Sequence, residues 1–472
     1  MDKLLNYQVP HVLQLEESFI NNNCIVDCSD TGTGKTYTTI ALVKKHGLIP
    51  FIICPKSVIK SWVDVAKDFD IKIFGICNYE LLKGNKYYNE NLEKMDFQFM
   101  ETINVPLHPA KDGTMRNEKV HIFMFPNDVV VIFDEAHRCK NHKSETSNLL
   151  LSIKKSNVKM ILLSATLTDK LECFKPFGVI FNFYKDVKEF KHWLRSQKII
   201  NKMKYNNSTL TDEQISLDII HNKIFPRYGS RMKIKELGNL FPSNQILCQS
   251  YISNDTDKIN EQYEIIKTAF LELRSKELRS TALGKIIRAR MKIEMFKVPI
   301  ILDIIKDGLE NNLSVAVFVN YKDTLFSLCH YLETDCIIYG DQSIEERHNN
   351  IDKFQSNHSN IIICIIQAGG VGISLHDIHG NHQRMSVISP TWSGQDMQQV
   401  LGRIHRAGSQ TTSLQKIIYC ANTYEEEICK IIKNKLSIIS QINDNDLSGL
   451  PISDETFKET NTPEQHNTFI KK

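Results

Sequence analysis

The feature that most constrains the fold of this chain is a series of short apolar runs separated by polar segments of helix length. The N-terminal series, rich in Ile and Val, comprises CIVDC (24–28), PFIICP (50–55), FGIC (74–77), VVVIFDE (129–135) and MILLSAT (160–166). Continuous apolar strands with helical spacers are typical of a parallel sheet that is covered on both faces. The pattern therefore predicts an α/β domain at the start of the chain.

A second series with the same pattern comprises SVAVFVN (314–320), DCIIYG (335–340), NIIICIIQAGG (360–370) and MSVISP (385–390), and it predicts a second α/β domain. Between the two series, from about residue 185 to 300, the sequence is strongly charged and follows a helical pattern. A chain of 472 residues is long enough for such a division. We predict a first domain at 1–185, a helical insert at 186–300, a second domain at 301–442 and a disordered tail at 443–472.

One irregular stretch interrupts the first series. Residues 88–125, with NVPLHPAKDGTMRNEK in the middle, directly precede the run that ends in acidic residues. Long segments of this kind are uncommon inside compact domains. We therefore expect a surface loop or a hairpin there.

Composition excludes several classes of protein. There are 58 Lys and Arg against 55 Asp and Glu, so any surface that binds nucleic acid must be a local groove. The sequence lacks an apolar run of membrane-spanning length, and early acidic residues argue against a secretory signal. The twelve cysteines are scattered without zinc-site spacing, which favours free thiols in a reducing, intracellular compartment.

The segment SDTGTGKT (29–36) lies between the run CIVDC and a helical pattern. Its glycines let the backbone curl so that successive N–H groups face a phosphate, and the following helix adds partial positive charge. Lys35 is placed to reach the β- and γ-phosphates, and the Thr36 hydroxyl to bind Mg²⁺. The alternative is a turn that binds nothing. The predicted nucleotide contacts are Gly32, Thr33, Gly34, Lys35 and Thr36.

The run VVVIFDE ends in two adjacent carboxylates, Asp134 and Glu135. Ligands of open α/β sheets gather at the carboxyl ends of strands. Asp134 can hold Mg²⁺ there, and Glu135 can orient and deprotonate the attacking water. Without a cation the two charges repel each other. An exposed acidic strand end is the alternative, but together with the phosphate loop the pair predicts a nucleoside triphosphatase that uses ATP and Mg²⁺.

These segments, followed by SAT (164–166) and QVLGRIHR (399–406), resemble those of superfamily-two helicases. More narrowly, DEAHRCKNHKS is similar to the acidic motif of SWI/SNF-like DNA translocases. The resemblance covers about residues 4–425 and implies two RecA-like domains in tandem, with a helical insert between them. Four further segments fit in order and spacing: FIICPKSVIKSW (51–62), ICNYELL (76–82), YGDQSIEERHNNIDKF (339–354) and QAGGVGISL (367–375).

The resemblance also implies roles for single residues. Gln8 meets the adenine edge, which suits an amide that both donates and accepts hydrogen bonds. The resemblance implies that four residues couple hydrolysis to domain closure: His137, Ser164, Thr166 and Gln399. Contacts to the nucleic-acid backbone fall to Pro55, Lys56, Ser57, Gly369, Gly370 and Gly372. A surface position for Gln8 and a tight turn for the glycines are the alternatives.

Arg403 and Arg406 lie three residues apart on a predicted helix, so both point to one face. Across a cleft they would act as arginine fingers on the γ-phosphate, where charge develops during transfer. A solvated basic helix face is the alternative. The first domain lacks such cations at its ATP site, which favours the catalytic interpretation.

Some features depart from the SWI/SNF-like pattern. Leu167 follows SAT where proline is usual, and Trp392 is followed by Ser393 and Gly394 in place of Asn-Pro. These departures weaken a role in nucleosome remodelling and leave ATP hydrolysis intact. The compact form resembles helicases of large nucleocytoplasmic DNA viruses, some of which assist transcription.

Three functions remain open at this stage. The first is an ATP-driven translocase on double-stranded DNA in viral transcription or DNA transactions, with a transcription-complex protein as a candidate partner. The second is a strand-separating RNA or DNA helicase with residues 88–125 as its pin. The third is a non-catalytic nucleic-acid clamp, which would lack one of the catalytic residues named above. A viral protein of this kind is expected in the host cytoplasm or the virion, without a membrane partner.

Overall fold

The computed structural model describes residues 2–106, 117–205, 208–237, 241–273, 275, 278–369 and 372–444. These residues form two compact units. The first unit contains the described residues up to 237 and, from Lys435 onward, the end of the last helix. The second unit contains the described residues from 241 to 434.

The sheet of the first unit has the order β10-β1-β9-β8-β2-β3-β4-β5, and its strands are parallel from β10 to β3. The parallel core holds the five predicted apolar runs, and β4 and β5 add an antiparallel edge. The described strands of this unit are β1 Cys24–Asp27, β2 Ile49–Ile53, β3 Gly75–Cys77, β4 Lys86–Tyr88, β5 Lys94–Asp96, β6 Met100–Pro106, β7 Asn117–Phe123, β8 Val129–Asp134, β9 Lys159–Leu163 and β10 Gly229–Ser230.

Helices cover both faces of this sheet. Ile25 and Ile52 pack in one apolar cluster, whereas Val26 and Phe51 pack in another on the opposite face. Burial on both faces explains why the strands read as unbroken apolar runs. The helices are α1 Gln8–Asn21, α2 Lys35–Lys45, α3 Ile59–Asp68, α4 Tyr79–Lys83, α5 Glu145–Lys155, α6 Lys175–Ile180, α7 Phe190–Ile200, α8 Lys202–Tyr205 and α9 Asp212–Ile224.

The stretch expected to be a loop or hairpin contains a hairpin. Strands β6 and β7 pair antiparallel from Met100↔Phe123 to Pro106↔Asn117. Met100 and Phe123 also pack in the first unit's core together with Phe97, which anchors the base of the hairpin. The middle of the stretch, residues 107–116, lies outside the described residues.

The sheet of the second unit is parallel throughout, with the order β11-β16-β15-β12-β14-β13. Its strands are β11 Asn244–Tyr251, β12 Ser314–Val319, β13 Ile337–Ile338, β14 Ile361–Ile365, β15 Arg384–Ile388 and β16 Ser413–Cys420. Its helices are α10 Thr256–Glu272, α11 Arg279–Phe296, α12 Val298–Glu310, α13 Lys322–Leu332, α14 Ile344–Gln355, α15 Ile366–Gly369, α16 Gly394–Leu401 and the part of α17 Glu425–Asp444 that precedes Lys435. Two tandem α/β units with parallel sheets confirm the predicted fold class.

The predicted helical insert, residues 186–300, is divided between the two units. Helices α7–α9 and strand β10 belong to the first unit, and β11, α10 and α11 belong to the second. Each sheet takes an edge strand from this region, because β10 pairs with β1 and β11 pairs with β16. Of the predicted tail, residues 443 and 444 end α17, and the remainder lies outside the described residues.

Two expectations from composition concern cysteines and membranes. All twelve cysteines are free thiols, most of them buried. Within the ranges that the structure describes, there is no helix of the length and apolarity needed to span a membrane.

Candidate nucleotide-binding and hydrolysis site

The sheet order of the first unit gathers the predicted site residues at one edge. Strands β1, β9, β8 and β2 are neighbours and parallel, so their carboxyl ends lie side by side. The phosphate loop follows β1, the SAT segment follows β9, the acidic pair ends β8, and residues 55–57 follow β2. This edge is where open α/β sheets bind ligands.

The phosphate loop needs its two glycines. Gly32 and Gly34 have φ angles of 91° and 89°, in the left-handed region that favours glycine. A Cβ atom at Gly34 would lie 2.2 Å from Nε2 of Gln8. Gly34 is also the residue from which α2 begins, so the loop delivers the chain directly into a helix N-terminus. Such a terminus attracts phosphate.

Lys35 lies across the phosphate loop. Its Nζ donates to the carbonyl oxygens of Ser29, at 2.8 Å, and Asp30, at 3.2 Å. Thr36 follows in the first turn of α2 and is partly exposed. Both residues therefore belong to the loop and helix start for which the sequence predicts phosphate and metal contacts, and those contacts stay predictions.

Gln8 is buried and holds the loop from the side. Its Nε2 donates to the carbonyl oxygen of Thr33 at 3.0 Å, and its Oε1 accepts from the Leu5 N–H at 2.9 Å. The Tyr7 hydroxyl donates to the same Thr33 oxygen at 3.2 Å. The surface alternative for Gln8 is wrong, because the side chain is 3% exposed. Its proposed contact with adenine stays a prediction.

A buried contact between a histidine and a carboxylate, which sequence reasoning missed, lies under the loop. His11 Nε2 is 3.1 Å from Asp27 Oδ2 and 3.1 Å from Ser29 Oγ, and the Thr38 hydroxyl also reaches Asp27. Burial raises the pKa of Asp27, but the charge and hydrogen bond of His11, together with the charge of Lys35 and a hydrogen bond from Ser29, outweigh it, so the pKa lies below its usual range. The pair fixes the first residue of the phosphate loop. Its acid, Asp27, ends strand β1 within the run CIVDC, and a buried carboxylate there requires a partner.

A second missed contact holds the loop from the residues that follow β10. Arg231 Nη2 lies 2.7 Å from Asp30 Oδ1, and the Ile234 N–H donates to the other oxygen of that carboxylate at 2.9 Å. Arg231 also donates to the carbonyl oxygen of Cys28. About 200 residues separate the partners in sequence, so no local pattern could have identified them.

Two aromatic residues hold the acidic pair. The Trp62 indole Nε1 donates to Asp134 Oδ2 at 2.9 Å. The Tyr79 hydroxyl donates to the carbonyl oxygen of Asp134 at 2.7 Å. Glu135 has a φ of 55°, a left-handed conformation that costs a non-glycine residue of order 1 kcal/mol. These contacts give a structural role to the tryptophan of the segment FIICPKSVIKSW and to the tyrosine of the segment ICNYELL.

The electrostatics of the pair fit a bound cation. Burial and the adjacent Glu135 raise the pKa of Asp134 to about 6, against the Trp62 hydrogen bond and the charge of Lys35, which lower it. Among the described residues, no cluster of three or more His, Cys, Asp or Glu could hold a metal alone. Mg²⁺ commonly binds through one or two protein oxygens together with substrate phosphates. Asp134 and Thr36 fit that arrangement.

The predicted coupling residues of the first unit are in contact. His137 Nδ1 lies 3.2 Å from Glu135 Oε2 and 3.1 Å from Ser164 Oγ. The Ser164 hydroxyl donates to the carbonyl oxygen of Thr166 at 2.6 Å. The histidine ring therefore connects the acid that would activate water to the SAT segment.

Residues 55–57 lie at the same edge of the sheet. Pro55 is buried, Lys56 is exposed and Ser57 is partly exposed. A 3-10 turn, Lys56–Val58, leads from them directly into α3, the helix that carries Trp62.

In the second unit, the expectation that both arginines lie on a helix is wrong. Helix α16 ends at Leu401 with Gly402, a poor helix former, as its C-cap. The Arg403 N–H then donates to the carbonyl oxygen of Val400, three residues back, whereas an α-helix would use the residue four back. Arg403 is 1% exposed and donates to the carbonyl oxygens of Gln399, at 2.8 Å, and Ile373, at 3.1 Å. Gln399 is buried as well.

Arg406 is less buried than Arg403. Its Nη1 donates to the Ser374 hydroxyl at 2.8 Å, and its Nε donates to the Gly402 carbonyl oxygen at 3.0 Å. Both arginines thus fasten the segment that begins at Gly372, whose φ is 79°. Of the other glycines predicted there, Gly369 ends α15, and Gly370 lies outside the described residues.

Comparison with known proteins identifies the family of this chain. A family model described as an SNF2-related domain matches residues 9–213, and one for the helicase conserved C-terminal domain matches residues 297–408. A protein of Acanthamoeba polyphaga mimivirus named as an ATP-dependent RNA helicase is 37% identical over 95% of this chain and 85% of its own length. A second mimivirus protein with the same kind of name is 23% identical, covering 82% of each chain.

A more distant relative is a CHD3-type chromatin-remodeling factor of Arabidopsis thaliana. It is 21% identical over 92% of this chain, which spans 37% of that factor. With the fold and the site, these matches show an ATP-hydrolysing, nucleotide-binding enzyme with a helicase-type core. The chain belongs to the SNF2-related helicases of superfamily two and is similar to helicases of a large DNA virus.

Proposed function

We propose that the protein uses MgATP hydrolysis to translocate on double-stranded DNA, in transcription or other DNA transactions of a large DNA virus. The observation that carries the proposal is the position of residues 55–57. They follow β2, the strand next to β8, and β8 ends in the acidic pair. An exposed lysine and a partly exposed serine thus lie beside the hydrolytic carboxylates and can meet a phosphate backbone.

Each step of ATP hydrolysis can be given to particular residues of the first unit. Amides of the phosphate loop and the Lys35 ammonium would hold the β- and γ-phosphates. Thr36 and Asp134 would hold Mg²⁺, which when bound neutralises phosphate charge. Glu135 would orient the attacking water and take its proton, with His137 fixing the carboxylate.

The second unit would contribute positive charge to the transition state. Of the two predicted arginine fingers, Arg406 is the more accessible, whereas Arg403 is engaged with backbone carbonyls. We propose that Arg406 meets the γ-phosphate as charge develops there and that Arg403 holds the segment in place. Backbone contacts from Gly369, Gly370 and Gly372 to nucleic acid belong to the same proposal.

Double-stranded DNA is favoured by the SNF2-related match over the nucleotide-binding unit and by the chromatin-remodeling relative. The KN extension of the acidic motif also has a structural role. Lys140 pairs with Asp169 at 2.7 Å, which fastens the end of that motif to the segment after SAT. A transcription-complex protein remains the proposed partner.

A strand-separating RNA or DNA helicase is the second candidate. The mimivirus relative at 37% identity is named as an RNA helicase. The β6–β7 hairpin, inserted just before the strand of the acidic pair, is a structural element that could divide two strands.

Steady-state ATP hydrolysis would separate the two candidates. Turnover is measured at one salt concentration with no nucleic acid, with duplex DNA, with single-stranded DNA and with RNA. Lys35→Ala serves as the control for contaminating ATPases. The proposal expects strong stimulation by duplex DNA, weakened by added salt because the contacts are to phosphates. Stimulation of ATP hydrolysis by RNA or single-stranded DNA, but not by duplex DNA, would instead support the strand-separating helicase.

A further inference from the structure

The hydrogen bond between Trp62 and Asp134 joins two parts of the proposed machine. Trp62 is 1% exposed, and its Nε1 donates to Asp134 Oδ2 at 2.9 Å. The other carboxylate oxygen accepts from the Glu135 N–H at 2.9 Å. The Glu135 N–H is the backbone donor of the next residue in the chain, whereas the Trp62 N–H belongs to helix α3. The orientation of the Asp134 carboxylate therefore depends on where α3 lies.

Helix α3 continues directly from residues 55–57. The sequence from Pro55 to Trp62 is PKSVIKSW, which contains no glycine, and the 3-10 turn is closed by a bond from the Val58 N–H to the Pro55 carbonyl oxygen at 3.1 Å. Ile59, one helical turn before Trp62, is buried in the same apolar cluster as the indole. A shift at residues 55–57 thus moves the indole, because no flexible link separates them.

We propose that Trp62 is a positioning residue that sets the orientation of the Asp134 carboxylate according to whether a nucleic-acid backbone occupies residues 55–57. Binding of nucleic acid would thereby reach the metal-binding carboxylate through one helix and one hydrogen bond. This inference rests on the proposed function, since it assumes that residues 55–57 contact nucleic acid.

A purely structural role for Trp62 makes different predictions. Trp62→Phe keeps an aromatic ring in the core but removes the N–H donor. Trp193→Phe is the matched control, because Trp193 is 9% exposed in the same unit and stacks on Phe183 at 5.2 Å. If Trp62 only packs in the core, Trp62→Phe and Trp193→Phe should both lower stability, and neither should change the stimulation of ATP hydrolysis by nucleic acid.

The experiment compares wild type, Trp62→Phe and Trp193→Phe by three measurements. These are turnover with and without duplex DNA, the DNA dissociation constant by fluorescence anisotropy, and binding of a fluorescent ATP analogue as Mg²⁺ is varied. We expect Trp62→Phe to lower the ratio of stimulated to basal turnover at least about fivefold. We also expect it to raise the Mg²⁺ concentration needed for tight analogue binding, while DNA affinity stays near that of wild type. Trp193→Phe should match wild type throughout.

A second measurement keeps the native indole and does not depend on the folding of the Trp62 variant. The chain has three tryptophans, so Trp62 is the sole one left in a Trp193→Phe, Trp392→Phe double variant. We expect duplex DNA to change the Trp62 emission in the absence of nucleotide. An unchanged emission would overturn the inference.

The remaining outcomes separate this inference from the proposed function. Equal stimulation of Trp62→Phe and wild type, with equal Mg²⁺ dependence, would overturn the role of Trp62 and leave the proposed function standing. A wild type that responds to none of duplex DNA, single-stranded DNA and RNA would overturn the proposed function, and the inference with it.

Discussion

At the scale of single residues, two aromatic side chains hold the acidic pair, Asp134 and Glu135, in its conformation. Tyr79 binds the Asp134 carbonyl oxygen, and Trp62 binds the carboxylate of the same residue. They come from separate segments of the chain, each following a different strand of the sheet. The left-handed backbone of Glu135 is thus held by contacts made outside the acidic motif.

The first prediction concerns the catalytic assignments in the first unit. Glu135→Gln should abolish turnover while ATP binding stays near wild type, because the amide cannot take a proton from water but keeps the shape of the side chain. Lys35→Ala should abolish turnover and also weaken ATP binding, because the phosphates lose a charge partner. Turnover and binding of a fluorescent ATP analogue would be measured together. Turnover within about threefold of wild type in either variant would contradict the assignment.

The second prediction separates the two arginines. Arg406→Ala should lower kcat at least about hundredfold and change ATP affinity far less, because the charge it meets grows in the transition state. Arg403→Ala should also lower the free energy of unfolding, by about 2 kcal/mol, because the carbonyl oxygens of Ile373 and Gln399 each lose the hydrogen bond from the guanidinium, although Gln399 keeps the one from the Gly402 N–H. Kinetics and thermal unfolding of both variants provide the measurement. A comparable loss of stability in Arg406→Ala would argue against its proposed role.

The third prediction concerns Asp27 and its dependence on pH. Its pKa in the folded protein lies below the usual value of about 3.9, so its ionised form stabilises the fold above about pH 4 and this contribution is lost as pH falls through the folded pKa. Asp27→Asn should therefore lower the free energy of unfolding by about 2 kcal/mol at neutral pH, with a smaller difference in acid. Asp64→Asn, an exposed acid on α3, is the control. Urea unfolding across pH would test it, and a deficit that does not shrink in acid would count against the ion pair.

The sequence predicts those parts of the site whose residues are close together in the chain, and it does not predict contacts between distant segments. The phosphate loop and the acidic pair are contiguous in sequence, and each follows a buried strand, so their positions could be inferred. His11 and Arg231 hold the loop from distant segments, and neither lies in a pattern that indicates its partner. The burial of Arg403 was equally hidden, because an Arg-x-x-Arg pattern does not reveal that the helix ends before it.

At the scale of elements, the strands that the sequence predicts are apolar along their whole length, because they are buried on both faces of a sheet. Strands β11 and β16 were missed because their sequences are partly polar. Asn244, Ser413 and Gln415 share hydrogen bonds between these two strands, so β16 reads as SLQKIIYC instead of an apolar run. Strand β11 is an edge strand in which only Ile246 and Ser250 are buried. Periodicity alone does not identify a strand whose polar residues are paired inside the sheet.

The fourth prediction tests the β6–β7 hairpin as an element. Thr102 and His121 are register partners, so replacing residues 103–120 with Asn-Gly should close a short hairpin while leaving Met100 and Phe123 in the core. If the protein translocates on duplex DNA, the variant should keep its stimulation by duplex DNA. Loss of strand separation with ATPase activity intact would instead favour the helicase. Unfolding midpoints of the variant and the wild type would confirm that the base of the hairpin still packs.

At the scale of the whole molecule, each unit completes its own sheet with a strand from the region first assigned to an insert. Strands β10 and β11 are encoded by residues 229–230 and 244–251, close together in sequence, yet they pair in different sheets. The boundary between the units is therefore set by strand pairing, which composition does not reveal. Helical character continues on both sides of it, from α9 to α10.

Displacement of a third strand from duplex DNA tests the central claim most directly. A labelled oligonucleotide is bound as a triplex at one end of a duplex, and its release is followed with ATP, without ATP and with Lys35→Ala. The account predicts release by wild type that requires ATP hydrolysis and leaves the duplex intact. A third strand that stays bound while duplex-stimulated ATP hydrolysis proceeds, or a duplex that is itself separated, would contradict translocation on double-stranded DNA.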